Sequence, residues 1–341
     1  MLAGFVTPVA ERSQVAEARR RATTLGQQVG LDELARGRLA LIVSEAATNL
    51  IKHGGGGEIV LQPLVDHNHE PNGIEMLALD RGPGMADVVN CMRDGFSTAG
   101  SPGTGLGAMQ RQSDWFDIYS QPNQGTAVAA RLWVQPAART AWRNESISLG
   151  VVNLPKPGEE VSGDAWALRQ HADGITLMLA DGLGHGPQAA LAANTAIGEF
   201  VAGAERNPVE WIKTGHVALR STRGAALAVV DINSLNRKVT YCGVGNTVGV
   251  ILGANSSQQM LSHNGTAGHE LVRLQEFIYP WPEAGMLLMY SDGLVSQVKL
   301  GGYAGLVDHH PSLIAGVLYR DFSRRRDDAT VIVLSIRPQA S

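Results

Sequence analysis

The stretch that most constrains this chain is Ile175-Thr-Leu-Met-Leu-Ala-Asp181-Gly182-Leu-Gly184-His185-Gly186, followed by Pro187 to Phe200. An apolar run ends on a carboxylate, breaks over glycines and restarts as an Ala-rich helix, with Pro187 at a first-turn position where a missing N–H costs nothing. A carboxylate at a strand end beside a tight Gly turn can hold a hard cation and leave room for a phosphate. The pattern recurs. Met286-Leu-Leu-Met-Tyr-Ser291-Asp292-Gly293 again ends a buried run on Asp-Gly, and Asp327-Asp328-Ala-Thr330 places two carboxylates at the start of another. Ser162-Gly163-Asp164 offers a further carboxylate upstream. One Asp at a strand end is a turn former. Repeated in this order it predicts an oxygen-only cation site, suited to Mg²⁺ or Mn²⁺ rather than zinc.

On these residues, the chain from about Ser146 to Arg337 resembles a metal-dependent serine/threonine phosphatase of the PPM superfamily, in its SpoIIE-like and RsbX-like bacterial branch. The resemblance implies an α-β-β-α sandwich whose strand ends carry two Mn²⁺ or Mg²⁺ ions. It implies that Asp181 is catalytic and bridges both ions, that the Gly182 carbonyl takes one, and that Asp292 and Asp327 hold the second. Asp164 supports the first ion, and Asp328 is the second choice for the last ligand. Water activated between the two cations would then attack phosphorus in line. Eukaryotic members keep a His where this chain has Leu183; His185 is two residues further on, and no counterpart of their phosphate-clamping Arg is evident.

The first third of the chain carries a second set of signals. Val15, Ala18, Ala22, Leu25 and Val29 predict a helix over Arg12–Val29, closed by Gly30. A second helix runs from Leu31 or Asp32 to His53, and Glu45, Asn49, Lys52 and His53 share one of its faces. Asp80-Arg-Gly82-Pro-Gly84 follows a strand over Gly73–Leu79. Gly103-Thr104-Gly105-Leu106-Gly107 precedes a helix from Ala108 to Ser113, and Gly125-Thr126 begins a closing strand. A Gly-rich loop alone is weak evidence; this order is specific.

Together these boxes resemble the Bergerat (GHKL) ATP-binding fold over about Arg12 to Val134, in its anti-sigma-factor and RsbT-like serine kinase branch. The resemblance implies ATP with Mg²⁺ as cofactor, the Asn49 oxygen serving that ion. Asp80 would accept from the adenine amine while Gly82 and Gly84 let the backbone approach the ring. Amides of Gly103, Thr104, Gly105, Leu106 and Gly107 at a helix N-terminus would cradle phosphates, with Thr126 nearby. Glu45, one turn from Asn49, is placed as general base for a hydroxyl acceptor. Lys52 and His53 either help with phosphate charge or are surface residues.

Bulk properties exclude other classes. Of 341 residues, 28 are Lys or Arg and 32 Asp or Glu, and a net charge of −4 gives no electrostatic case for nucleic acid. Cys91 and Cys242 are too few for a disulfide framework. No apolar run approaches bilayer-spanning length, so the expectation is a cytoplasmic protein that uses no membrane.

The expected organisation is a mixed α/β chain: residues 1–134 an ATP-binding α/β sandwich, 135–144 a linker around Pro136 and Trp142, and 145–341 the phosphatase. Gly224–Ile232, Lys238–Asn246 and Thr247–Leu252 read as an antiparallel meander within it. The resemblance implies a partner-switching regulator in stress signalling, dephosphorylating and phosphorylating a STAS-domain partner on Ser or Thr. Alternatively, the ATP domain is a non-catalytic regulator or sigma-factor-binding module. A sigma factor, a sensor or stressosome-like complex, and a homodimer are the other assemblies the family allows.

Overall fold

The structure, a computed structural model, describes residues 2–66, 68–92, 105–135, 147–254, 256–271, 273–295 and 297–336. The chain forms two compact units: Met1–Asp66 with Glu70–Arg143 and Lys299–Arg320, and His67–His69 with Asn144–Val298 and Asp321–Ser341.

In the first unit, β1 (Phe5–Val9) leads to α1 (Arg12–Val29) and α2 (Glu33–Lys52), then β2 (Gly57–Val65) and β3 (Pro71–Leu79). A short α3 (Val88–Cys91), α4 (Gly105–Gln112), β4 (Trp115–Ser120) and β5 (Thr126–Trp133) follow. The helix ends obey local chemistry. Glu11 and Gln14 form a capping box on α1, and Gly30 closes that helix in the left-handed region at φ 94°. Asp32 accepts from the Ala35 amide to start α2. The α4 helix begins at Gly105, three residues before its expected start, because the glycines already sit in its first turn.

The strands form one antiparallel sheet in the order β1-β2-β3-β5-β4. Its first face buries Ile59, Ile74, Met76, Val128 and Ala130 with the apolar stripes of α1 and α2. Period-2 alternation sends Leu77, Leu79, Ala127, Ala129 and Arg131 to the other face. That face is buried as well: Leu77 is 0% exposed and Leu79 2%. This accounts for the weak alternation of β3, since a strand covered on both sides is apolar throughout.

The second unit contains β6 (Ile147–Leu154), β7 (Asp164–His171), β8 (Gly174–Gly182), α5 (Pro187–Ala202) and α6 (Pro208–Ala218). Then come β9 (Ala225–Asn233), β10 (Lys238–Val244), β11 (Val248–Gly253), β12 (Ser256–Met260), β13 (Gly265–Thr266), β14 (Glu270–Leu271), β15 (Phe277–Pro280) and β16 (Met286–Tyr290). The last helix, α7 (Pro311–Phe322), precedes β17 (Ala329–Ile336), and its residues up to Arg320 cluster with the first unit. Two five-stranded sheets result, β15-β10-β9-β8-β7 and β12-β11-β16-β17-β6. Alanines 192, 193 and 196 let α5 lie close on the first sheet beside Phe200, Trp211 and Ile212.

The expected meander is corrected at its third strand. β9 and β10 pair as a hairpin, but β11 pairs with β12 and β16 in the other sheet. The Gly243–Asn246 segment, with Gly245 at φ 101°, redirects the chain between sheets.

Candidate active sites

In the first unit, α2 presents Glu45 and Asn49, both half-buried, at its C-terminal half. A Cβ on Gly105 would stand 3.3 Å from Glu45 Oε2 and 3.4 Å from both amide atoms of Asn49. The start of α4 therefore comes against this pair because Gly105 has no side chain. Leu106 packs on the core and Gly107 is buried; Gly103 and Thr104 lie outside the described residues.

Asp80, 8% exposed, follows β3 directly. Its Oδ1 accepts both the Gly82 amide at 2.8 Å and the Thr126 amide at 3.1 Å. Its Oδ2 has no partner among the described residues, leaving one acceptor for a ligand donor. Burial pushes the Asp80 carboxyl up, and the Gly82 and Thr126 amides, then Arg320 and His53, pull it partly back. Gly54, just past α2, lies against the Asp80 side chain, and Gly82 lies against Gly54. Gly84 follows two residues on, at φ 66°. Thr126 shares a 2.9 Å hydrogen bond with the Ser120 hydroxyl. Lys52 and His53 are exposed, and the His53 amide caps the Asn49 carbonyl at 2.9 Å.

In the second unit, antiparallel register sets Asp164 directly opposite Asp181 on β7 and β8. Like charges directly opposite are destabilising unless something neutralises them. Burial first, and then Asp164, Asp292, Asp327 and Asp328, push the Asp181 carboxyl up to about 9. Burial likewise raises Asp164, which the Ser291 hydroxyl opposes by donating to its Oδ2 at 2.6 Å.

Close approach fixes the turn itself. A Cβ on Gly182 would collide with the Ala189 carbonyl of α5, so Asp181 must be followed by glycine. Asp292 follows β16, its Oδ2 accepting from Asn246 Nδ2 at 2.6 Å. Asp327 and Asp328 precede β17, and Asp328 Oδ1 accepts the Lys156 amide at 2.9 Å.

Among the described residues, no three acidic or imidazole side chains form a closed ligand set around one point. The donor set nevertheless fits hard cations. Asp181 Oδ2 and Asp328 Oδ2 are buried acceptors without a hydrogen-bond partner, in a cluster whose charges repel one another. A cation would supply what no donor among the described residues does there.

Three residues escaped the sequence reading. Ser291 orients Asp164, and its Oγ is held in turn by the Thr330 amide at 3.0 Å. Asn246 orients Asp292; the turn around it was visible, its target was not. Arg223 is exposed, and a Cβ on Gly184 would stand 3.2 Å from its Nη1. The Arg223 backbone is pinned there: the Leu183 amide donates to the Gly224 carbonyl at 3.0 Å, and His269 Nε2 lies 2.9 Å from the Arg223 carbonyl. No spacing rule links residues 184 and 223. His185 pairs with Glu159, Nδ1 to Oε1 2.6 Å.

Comparison with known proteins finds relatives for both parts of the chain. Residues 9–132 match the histidine kinase-like ATPase domain model, and residues 171–337 match that of stage II sporulation protein E (SpoIIE). The serine/threonine-protein kinase RsbT of Bacillus subtilis (strain 168) is 31% identical over 121 residues, which are 36% of this chain and 90% of RsbT. The phosphoserine phosphatase RsbX of the same organism is 29% identical over 154 residues, 44% of this chain and 76% of RsbX. Among solved structures, a chain described under the bacterial stressosome, as a modular system adapted to control secondary messenger signalling, aligns with TM-score 0.52 and 29% identity. It is covered over 100% of its length, against 56% of this chain. RsbX in complex with magnesium aligns with TM-score 0.50 and 22% identity, over 57% of this chain and 96% of RsbX, and shows the shared fold.

The chain belongs to the histidine kinase-like ATPase family, in its RsbT-like serine/threonine kinase branch, and joins to it a SpoIIE-type PPM serine/threonine phosphatase, so that both halves of a partner-switching regulator occupy one polypeptide.

Proposed function

We propose that the phosphatase half hydrolyses a phosphoserine or phosphothreonine ester on a STAS-domain partner protein, and that the ATPase half binds ATP with Mg²⁺ and phosphorylates the same or a related partner. The observation that carries the first part is the buried, register-opposed pair of Asp164 and Asp181, with Asp181 Oδ2 lacking a donor among the described residues. Asp164, Asp181, the Gly182 carbonyl, Asp292, Asp327 and Asp328 would hold two Mn²⁺ or Mg²⁺ ions; RsbX, a relative, has been crystallised with magnesium. When bound, such ions lower the pKa of a coordinated water and neutralise phosphoryl charge. Asn246 and Ser291 orient two of the carboxylates, and Arg223 offers its guanidinium to phosphoryl oxygens at the edge of the Gly184 turn.

For the ATPase half, Glu45 would take the acceptor hydroxyl proton, while Asn49 and the start of α4, which Gly105 brings against this pair, would hold the phosphates and their ion. Residues 1–134 and 145–341, joined by 135–144, are the proposed functional domains. The similarity to RsbT and to a stressosome chain supports a protein partner of that signalling class, met in the cytoplasm. No helix among the described residues is long and apolar enough to cross a membrane.

The deciding experiment follows both reactions on a phosphorylated STAS protein. Release of phosphate should need added Mn²⁺ or Mg²⁺ and stop in EDTA. Transfer from γ-labelled ATP should be lost in Glu45→Ala with ATP binding retained. Phosphate release undiminished in EDTA would exclude the cation site. A wild type that binds ATP but transfers nothing to the STAS protein would make the ATPase half a non-catalytic regulator.

A further inference from the structure

The second face of the first unit's sheet is covered by the segment Lys299–Arg320, which arrives from far along the chain. It lies outside residues 9–132, matched to the ATPase domain, and inside residues 171–337, matched to SpoIIE. The fit is specific along its length. The His310 ring lies 4.6 Å from that of Trp115, and Arg131 donates to the Ser312 hydroxyl. A Cβ on Gly316 would stand 3.3 Å from both Leu77 and Leu79, the inter-helical side of β3. Every residue of α7 from Pro311 to Arg320 is buried.

This seam ends at the nucleotide site. Arg320, 3% exposed, donates from Nη1 to the backbone carbonyl of Asp80 at 2.7 Å. Arg81 in turn donates to the Arg320 carbonyl. The Asp80 amide donates to the Thr126 carbonyl at 3.0 Å. Both peptide bonds flanking the Asp80 Cα are therefore tied down, one by β5 and the other by a buried guanidinium. With its backbone so fixed and Oδ1 committed to two amides, the direction of Oδ2 is set.

We infer that Arg320 is a positioning residue of the nucleotide site: it holds the Asp80 backbone so that the carboxylate meets the exocyclic amine of adenine. The inference rests on Asp80 being the adenine acceptor. A charged donor on a buried carbonyl is among the stronger hydrogen bonds, and its loss leaves that carbonyl unsatisfied. Because affinity changes are reciprocal, adenine nucleotide bound at Asp80 must in turn favour the seated position of α7. The chain then runs from α7 into Asp327 and Asp328 within eight residues of Arg320.

The test uses the full chain and calorimetric titration of ATP and GTP with Mg²⁺. The ratio of the two affinities is the readout, because GTP lacks the donor that Asp80 accepts. Arg320→Met should lower ATP affinity about tenfold, leave GTP nearly unchanged, and so collapse the preference. Arg320→Lys, which keeps a charged donor, should restore most of it. Arg320→Gln takes the place of the Met variant if that does not fold, with the same expectation. Asp80→Asn should collapse the preference as well. If Asp80→Asn loses the preference and neither neutral Arg320 variant does, the inference is wrong and the adenine reading stands. An equal fall in both affinities assigns Arg320 a purely structural role and also overturns it. Preference retained in Asp80→Asn removes the acceptor itself, and the inference with it.

Discussion

Asp80 and Asp181 both stand at the end of a buried strand with glycines directly after, yet their surroundings are opposite. Asp80 has its charge met by the Gly82 and Thr126 amides and by Arg320 nearby, and one oxygen is left over. Asp181 has four carboxylates for neighbours, and its Oδ2 is buried with no donor among the described residues. The same local signal thus yields two kinds of site. A carboxylate partly settled by protein donors, with one oxygen left over, can read a neutral N–H on a ligand. A carboxylate settled by nothing calls for positive charge.

Substituting each acid by its amide should separate the two most widely. Asp181→Asn should cut phosphatase turnover by at least about a thousandfold, the scale of removing a key electrostatic group from a catalytic site. With EDTA present the same variant should melt higher than wild type at neutral pH, because the buried, repelled Asp181 carboxyl costs stability whether it takes up a proton or keeps its charge, and the amide does neither. Steady-state hydrolysis and thermal melts check both, and a lower melting point in EDTA would break the contrast. Asp80→Asn should keep its fold, since the amide oxygen still accepts from Gly82 and Thr126. Its ATP affinity should fall about ten- to a hundredfold, the cost of one hydrogen bond turned from acceptor to donor; calorimetry reads it. Phosphate release by Asp80→Asn without nucleotide should match wild type.

Asn246→Ala sharpens the comparison inside the acidic cluster. Asp292 would lose its 2.6 Å donor and with it a fixed orientation, so Mn²⁺ affinity should drop about tenfold. A Mn²⁺ titration of activity, with the plateau rate little changed, is the expected result.

A third carboxylate, Asp117, gives the smallest effect. Burial raises it, but the His309 side chain and the His310 and Ile118 amides more than offset that, holding it below the usual carboxylate range. His309 is raised, first by its bond to Asp117, against burial, with Asp308 adding. The His309 contribution to stability is present below its unfolded value of about 6.5 and is lost as pH rises through its folded value. That of Asp117 is present above about 3.9 and is lost as pH falls through its depressed folded value. Stability from this pair therefore peaks between about pH 4 and 6.5 and declines above. The size is about 1 kcal/mol or less for a half-buried pair that solvent still screens. His171 is raised in the same direction by Asp231, so the readout is the melting difference between wild type and His309→Gln across pH 5.5 to about 8.5. A flat difference would mean the pair contributes nothing.

Much of this was legible because it is local. The apolar period of α1 and α2 falls where Gly30 and Asp32 punctuate it, and each proposed metal acid sits at the start or the end of an apolar run. What was illegible depends on pairs distant in sequence. The α7 stretch Leu313-Ile-Ala-Gly-Val-Leu-Tyr319 has no amphipathic period because it is buried all round, and a run without a period does not declare its partner. Gln62, Glu75 and Arg131 look like solvated strand residues until register stacks them on one buried face. The departure of β11 to the other sheet hangs on a left-handed Gly245 that reads in sequence as an ordinary turn.

The hairpin joining β7 to β8 closes at His171 opposite Gly174, leaving only Ala172 and Asp173 in its tip. A two-residue tip dictates register, and register alone puts Asp164 across from Asp181 at the far end of both strands. Adding a single residue to that tip, about 25 Å from the acids on strand rise alone, would turn β8 over and aim Asp181 at the alanines of α5. The hairpin tip is thus a remote tuning point, where length polymorphism could silence hydrolysis while every ligand in the sequence stays intact.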